Sequence, residues 1–250
     1  MRRLITLAVV AAAALTSVSP AAAITNGTAD GNRHPNVGGL VSPTQYSDGT
    51  WIYCSGTLIS PTVVLTAAHC AEDGERVGVT FDTAYQAGDK VYYGTFHADP
   101  LYNQSQSDPH DIAVVVLDKA VRGITPAKLP TANSLSNLSG SQKFTSVGYG
   151  AYEVTNGPGG HQYLYNDVRG VATGTLNSTN KSWLRISMNP STGNGGTCYG
   201  DSGGPNFLGT SQIIAAITIT GDAVCRSTNV VYRLDTESAR TFLAQYVTLP

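Results

Sequence analysis

The chain predicts an all-β fold, a barrel or a sandwich, on three observations. Short β-prone runs recur along its whole length with Gly- and Pro-rich turns between them. Charged residues make up only 13% of the 250 residues, while Gly, Ser, Thr and Asn are abundant, which leaves little material for surface helices. No internal repeat and no low-complexity tract appears after the first two dozen residues.

The elements follow in order. Residues 1–23 read as a secretory signal: Arg2 and Arg3 supply a positive start, 4–15 an apolar stretch too short to span a bilayer, and 21–23 an Ala-Ala-Ala cleavage site. Cleavage is expected after Ala23, leaving about 227 residues that begin at Ile24 and carry a charge near −4. A first set of strands is expected at 37–41, 51–59, 63–67, 77–81, 90–96 and 111–117, and a second at 143–149, 163–171, 183–188, 205–208, 212–220 and 230–234. Residues 126–130, bounded by prolines, lie between the two sets and form the expected crossing segment. Residues 157–160, Gly-Pro-Gly-Gly, are the expected mobile loop. Residues 235–246 read as a helix that Asp235 can cap, with an apolar face around Leu243. The acidic balance argues against nucleic acid or an anionic membrane as a partner, and no further stretch is long enough for a membrane span.

Residues 198–205, Cys-Tyr-Gly-Asp-Ser-Gly-Gly-Pro, carry the chemistry. A serine hydroxyl attacks carbonyls only when a base takes its proton and donors stabilise the oxyanion. Glycines on both sides of Ser202 permit a tight turn and leave the amides of Gly200 and Ser202 free to face developing charge. A Gly-rich surface turn is the plain alternative, so a base and an acid must be found elsewhere. His69, in Thr-Ala-Ala-His-Cys at 66–70, follows an apolar run that reads as a buried strand. Asp111 heads the run Ile-Ala-Val-Val-Val-Leu, where a partly desolvated carboxylate seeks an imidazole N–H. Asp99 and Asp108 are rivals, set in a polar loop beside prolines. Four cysteines behind a signal imply two disulfides in one of three connectivities, and no close Cys pair suggests zinc.

The order His69, Asp111, Ser202, with the motifs around each, resembles the chymotrypsin-like (trypsin-like) serine proteases, in a secreted, bacterial-type form; the resemblance runs from Ile24 to the C-terminus. It implies two packed antiparallel β-barrels with a C-terminal helix, the first barrel within 24–128 (His69, Asp111) and the second within 129–250 (Ser202), together one peptidase domain. It implies Ser202 as nucleophile, His69 as base, Asp111 as orienter, and the Gly200 and Ser202 amides as oxyanion hole. It selects the bridges Cys54–Cys70 and Cys198–Cys225. It also implies that the freed amine of Ile24 inserts and pairs with Asp201, so that signal removal itself activates the enzyme; Thr25 and Asn26 depart from the family pattern there, while Gly27 keeps it.

For specificity, the resemblance places Gly196 at the floor of the primary pocket, with Thr218, Thr220 and Val230 in its walls. A glycine floor cannot attract Lys or Arg, and two β-branched walls predict a shallow pocket for small or medium apolar side chains. Asp222 entering the pocket would restore basic specificity. Expected partners are protein or peptide substrates, with no nucleic acid, membrane, metal or cofactor, and the chain is expected to be a secreted monomer. The competing functions are an inactive protease-fold binding protein and an esterase. The latter would want Gly-x-Ser-x-Gly with its histidine last, whereas here the histidine comes first.

Overall fold

The computed structural model describes residues 24–250; the expected signal peptide, 1–23, lies outside the described residues. The strands are β1 (Thr28–Ala29), β2 (Val37–Val41), β3 (Ile52–Ser60), β4 (Val63–Thr66), β5 (Arg76–Thr80), β6 (Tyr92–Ala98), β7 (Ala113–Leu117), β8 (Lys143–Gly148), β9 (Glu153–Gly157), β10 (Gly160–Leu164), β11 (Gly170–Thr179), β12 (Trp183–Ser187), β13 (Pro205–Leu208), β14 (Ile214–Gly221) and β15 (Thr228–Arg233), followed by α1 (Glu237–Leu243). Six of them close an antiparallel barrel in the order β2-β3-β4-β7-β6-β5. Six more close a second in the order β8-β11-β12-β15-β14-β13, with β1 added on β11. Closure removes the exposed sheet edges that would otherwise template aggregation.

Alternation along each strand divides the apolar residues between two destinations. On β7, Val115 and Leu117 fill the first barrel with Leu40, Leu58 and Phe96. Val114, pointing the other way, joins Leu65, Phe207, Ile217 and Tyr232 in a layer between the barrels, which α1 extends with Ala239, Phe242 and Leu243. Phe144, Leu184, Ala216 and Val231 fill the second barrel. The segment 126–130 touches both halves: Ala127 N–H donates to the Leu58 carbonyl, and Lys128 bridges Ile213.

A buried cation ties the N-terminal segment to both barrels. Arg169 is fully buried; its Nε donates to Asp30 Oδ2 at 3.0 Å and its Nη1 to the carbonyls of Val37 and Phe81 and to the Tyr149 hydroxyl. Burying a guanidinium is tolerable only because these acceptors replace its water.

The 157–160 segment, expected as a loop, is the two-residue turn of the β9–β10 hairpin, in which Gly157 pairs with Gly160, and two other expectations are corrected. Pro158 and Gly159 suit such a turn, the glycine taking φ +101°. The strand expected at 163–171 is two separate strands, β10 and the start of β11, with an irregular stretch between. The cap of α1 is Thr236, whose hydroxyl accepts from Ala239 N–H, while Asp235 accepts from the guanidinium of Arg233 and from Leu135 N–H. Asp235 sits one position too early to cap, and its burial beside a buried arginine claims its carboxylate.

Candidate active site

The chain leaves β4 into a single 3-10 turn, Ala68–Cys70, which carries His69. Cys70 is bonded to Cys54 of β3, so the turn is stapled to its own hairpin. The short stretch before β7 holds Asp111, which is 1% exposed. Its Oδ1 accepts the backbone N–H of His69 at 3.1 Å, and its Oδ2 lies 2.8 Å from His69 Nδ1. A carboxylate on Nδ1 holds the proton there, so Nε2 is left as the acceptor. The rivals have other partners: Asp99 pairs with His110, and Asp108 accepts from Tyr232 and Ser238.

Ser202 sits in the turn Asp201–Gly204, closed by Gly204 N–H donating to the Asp201 carbonyl at 2.9 Å. Because a trans peptide points its N–H opposite its C=O, that bond also aims the Ser202 N–H away from the turn. The Tyr199 carbonyl is fixed in the same manner by Ala151 N–H at 2.8 Å, which aims the Gly200 N–H. Two amide donors are thus oriented by bonds on the far sides of their peptides. Gly200 has φ +92° and Gly203 φ +77°, the left-handed region that favours glycine. A Cβ on Gly203 would also collide with Thr66 Oγ1.

Ser55 of β3 connects this turn to the first barrel. Its N–H donates to the Ser202 carbonyl at 2.8 Å, its hydroxyl donates to the Gly200 carbonyl at 3.0 Å, and the same oxygen accepts Tyr149 N–H. Ser202, His69 and Gly200 line one cavity of about 650 Å³ between the barrels. No hydrogen bond joins the Ser202 and His69 side chains among the described residues; such bonds commonly tighten only around substrate.

Asp201 is fully buried, with Oδ1 accepting Gly150 N–H and Oδ2 accepting Cys198 N–H, each at 2.8 Å. No cation pairs with it among the described residues, and desolvation pushes its pKa up to about 7. Ile24 is 1% exposed, and Thr25 forms a two-bond bridge with Gly196. The Thr25 hydroxyl reaches the carbonyls of Gly196 and Cys225, so the departure from the family pattern there is used structurally. Gly27 has no room for a Cβ, which would sit 2.7 Å from the Val171 carbonyl.

Of the four expected pocket residues, Thr218 and Thr220 line the cavity and Gly196 and Val230 do not. The space beyond Gly196 is filled by the Met188 thioether, into which a Cβ would run. Val230 pairs with Thr220 and Arg185 beside a bulge in β14 between Thr218 and Thr220. The bulge sets Asn229 opposite Gly221, and Asn229, Asn206, Ser146 and Thr218 hydrogen-bond in a buried polar layer behind the wall. Asp222 lines the cavity, but both oxygens are occupied by amides of its own loop, those of Arg226, Ser227 and Thr228, which lower its pKa. The bridge Cys198–Cys225 braces this loop against the segment before Ser202. Cys54, His69 and Cys70 cluster like metal ligands, yet both sulfurs are spent in a disulfide. Sequence reasoning missed Ser55 and Met188; the placement of Ser55 between Cys54 and Gly56 was the only local signal for the first.

The trypsin family model matches residues 29–241, and the chain belongs to this family. It is 30% identical over 194 residues to a chymotrypsin of Phaedon cochleariae, covering 72% of this chain and 67% of that protein. It is 28% identical over 165 residues to glucanase inhibitor protein 2 of Phytophthora sojae, covering 61% of this chain but only 54% of that protein. The solved structure of HL collagenase superimposes with a TM-score of 0.65 at 19% identity, covering 85% of this chain and 92% of the other, a likeness of fold. No helix among the described residues is long and apolar enough to cross a membrane.

Proposed function

We propose that the chain is a secreted serine endopeptidase that works as a monomer on protein or peptide substrates, without metal or cofactor. The observation that carries this is the His69–Asp111 pair set in the same cavity as Ser202 and two outward-aimed amides. Ser202 Oγ attacks the scissile carbonyl carbon as its proton passes to His69 Nε2. The oxyanion takes hydrogen bonds from Gly200 and Ser202 N–H. His69 then protonates the leaving amine, and water, deprotonated by the same nitrogen, releases the acyl group from Ser202. Asp111 holds the imidazole and balances its charge. The amine of Ile24, freed by removal of 1–23, supplies the counter-charge that Asp201 lacks.

The cleaved position takes a small or medium uncharged side chain: the β-branched Thr218 and Thr220 line the cavity, and Asp222 is occupied by its own loop. The apolar preference and the bacterial-type origin remain expectations of the sequence. The second reading, an inactive binding protein, is favoured by the similarity to glucanase inhibitor proteins. Fluorophosphonate labelling of Ser202 together with cleavage of a peptide library tests both. Labelling and cleavage that vanish in Ser202→Ala support the enzyme; an unreactive Ser202 in folded protein supports the binder; cleavage mainly after Lys or Arg refutes the pocket reading.

A further inference from the structure

The cavity extends from Ser202 to a wall that is aromatic and acidic. Tyr46, Asp48 and Tyr53, from the loop before β3 and its start, line it together with Tyr165 and Tyr199. These five residues line the same cavity as Ser202 and His69. Tyr46 and Tyr199 are 44% and 52% exposed, large rings left open at the mouth. Tyr199 is held edge-to-face on Tyr163 at 4.5 Å, and the Tyr163 hydroxyl is anchored on the Ala223 carbonyl. The rim is therefore braced before any ligand arrives.

Charge selects the ligand. Asp48 Oδ1 accepts the N–H and hydroxyl of Thr50, while Oδ2 has no hydrogen bond among the described residues. No Lys or Arg lines the cavity, and the other lining carboxylate, Asp222, is occupied by its own loop. Tyrosine faces are negative and attract ammonium and guanidinium groups, and long basic side chains lay their apolar stems along such walls. We propose that this wall is a subsite for a Lys or Arg side chain of the substrate, on the leaving-group side of the scissile bond. The side follows from the endopeptidase reading, on which the inference rests. Thr218 and Thr220 of β14, the Cys54–Cys70 bridge and the tyrosines line one cavity with Ser202, and a substrate with its cleaved residue on β14 would carry its leaving-group side toward the bridge and the tyrosines.

The test uses the protein beginning at Ile24 and two pairs of fluorogenic peptides. Each pair is identical except for arginine or its neutral isostere citrulline, one or two residues after the cleaved bond. In at least one pair the arginine peptide is expected to show roughly fivefold higher kcat/KM. That ratio should shrink toward one in Asp48→Asn, in Tyr46→Leu and in 0.5 M salt. Ratios of one in both pairs overturn the proposal. Anisotropy of the same labelled peptides on Ser202→Ala reads the subsite without turnover. Tighter binding of arginine supports the proposal even if no peptide is cleaved, the outcome that would sink the endopeptidase reading alone; equal binding of arginine and citrulline overturns it.

Discussion

An N-terminal extension should make stability strongly pH-dependent through one residue, Asp201. The carboxyl titrates near 7 instead of its ordinary 3.8 because it is fully buried with two amide partners and no cation among the described residues. Folding thus favours the protonated acid. The stability this contributes is fully present below pH 3.8, declines between 3.8 and 7, and is gone above about 7. A shift of about three units corresponds to about 4 kcal/mol. The measurement is urea unfolding from pH 4 to 8.5 of three proteins, each carrying Ser202→Ala to prevent self-cleavage. One begins at Ile24, one has two alanines ahead of it, and one has both the alanines and Asp201→Asn. The extended protein should lose about 4 kcal/mol more than the Asn variant across that range. The protein beginning at Ile24 should follow a flatter curve, because its amine offsets the carboxylate charge. Parallel curves for the extended and unextended proteins would refute the pairing, and an Asn variant as steep as its parent would refute the assignment to Asp201.

Other perturbations follow from the same contacts. Asp111→Asn should lower kcat by about 10⁴ while leaving the circular dichroism spectrum unchanged, since the amide no longer selects the Nδ1-protonated imidazole. Gly196→Asp should not create Lys or Arg cleavage. The new side chain meets Met188, and overpacking of about 1–3 kcal/mol should lower Tm by about 2–10 °C in calorimetry. Arg169→Leu leaves the buried Asp30 carboxylate with His34 alone and takes the donor from the Val37 and Phe81 carbonyls; it should cost about 3 kcal/mol by urea titration, more than Arg76→Leu at an exposed pair. Replacing Cys198 and Cys225 together by alanine should cost about 2–4 kcal/mol, read in the same titration.

The strands that sequence located best are short, almost wholly buried runs bounded by turn residues, such as β2 before Ser42-Pro43 and β13 between Gly204 and Gly209, whose bounds match residue for residue. The β9–β10 hairpin escaped because its residues are mostly exposed or half-buried and show no apolar alternation. β11 begins late for a similar reason: Gly170–Thr179 is rich in small polar residues, and the strand it pairs with from its first residue, β8, is distant in sequence. His69, Asp111 and Ser202 were legible because each sits beside a recognisable turn or strand end. The pocket was not. Its wall depends on a bulge at Ile219, and Gly196 is turned onto Met188 outside the cavity; neither leaves a trace in residue spacing.

Ser55 belongs to one barrel, yet it grips the carbonyls on both sides of Asp201 in the other. The turn that carries the donors is therefore braced by the docking of two halves, each supplying part of one hydrogen-bonded junction. On the proposed function, catalytic competence then becomes a report on assembly: separating the barrels should silence Ser202 before either barrel need melt. Loss of active-site labelling should accordingly never trail loss of tertiary structure as denaturant rises, and in a cell a chain with only one half formed would carry no stray proteolysis.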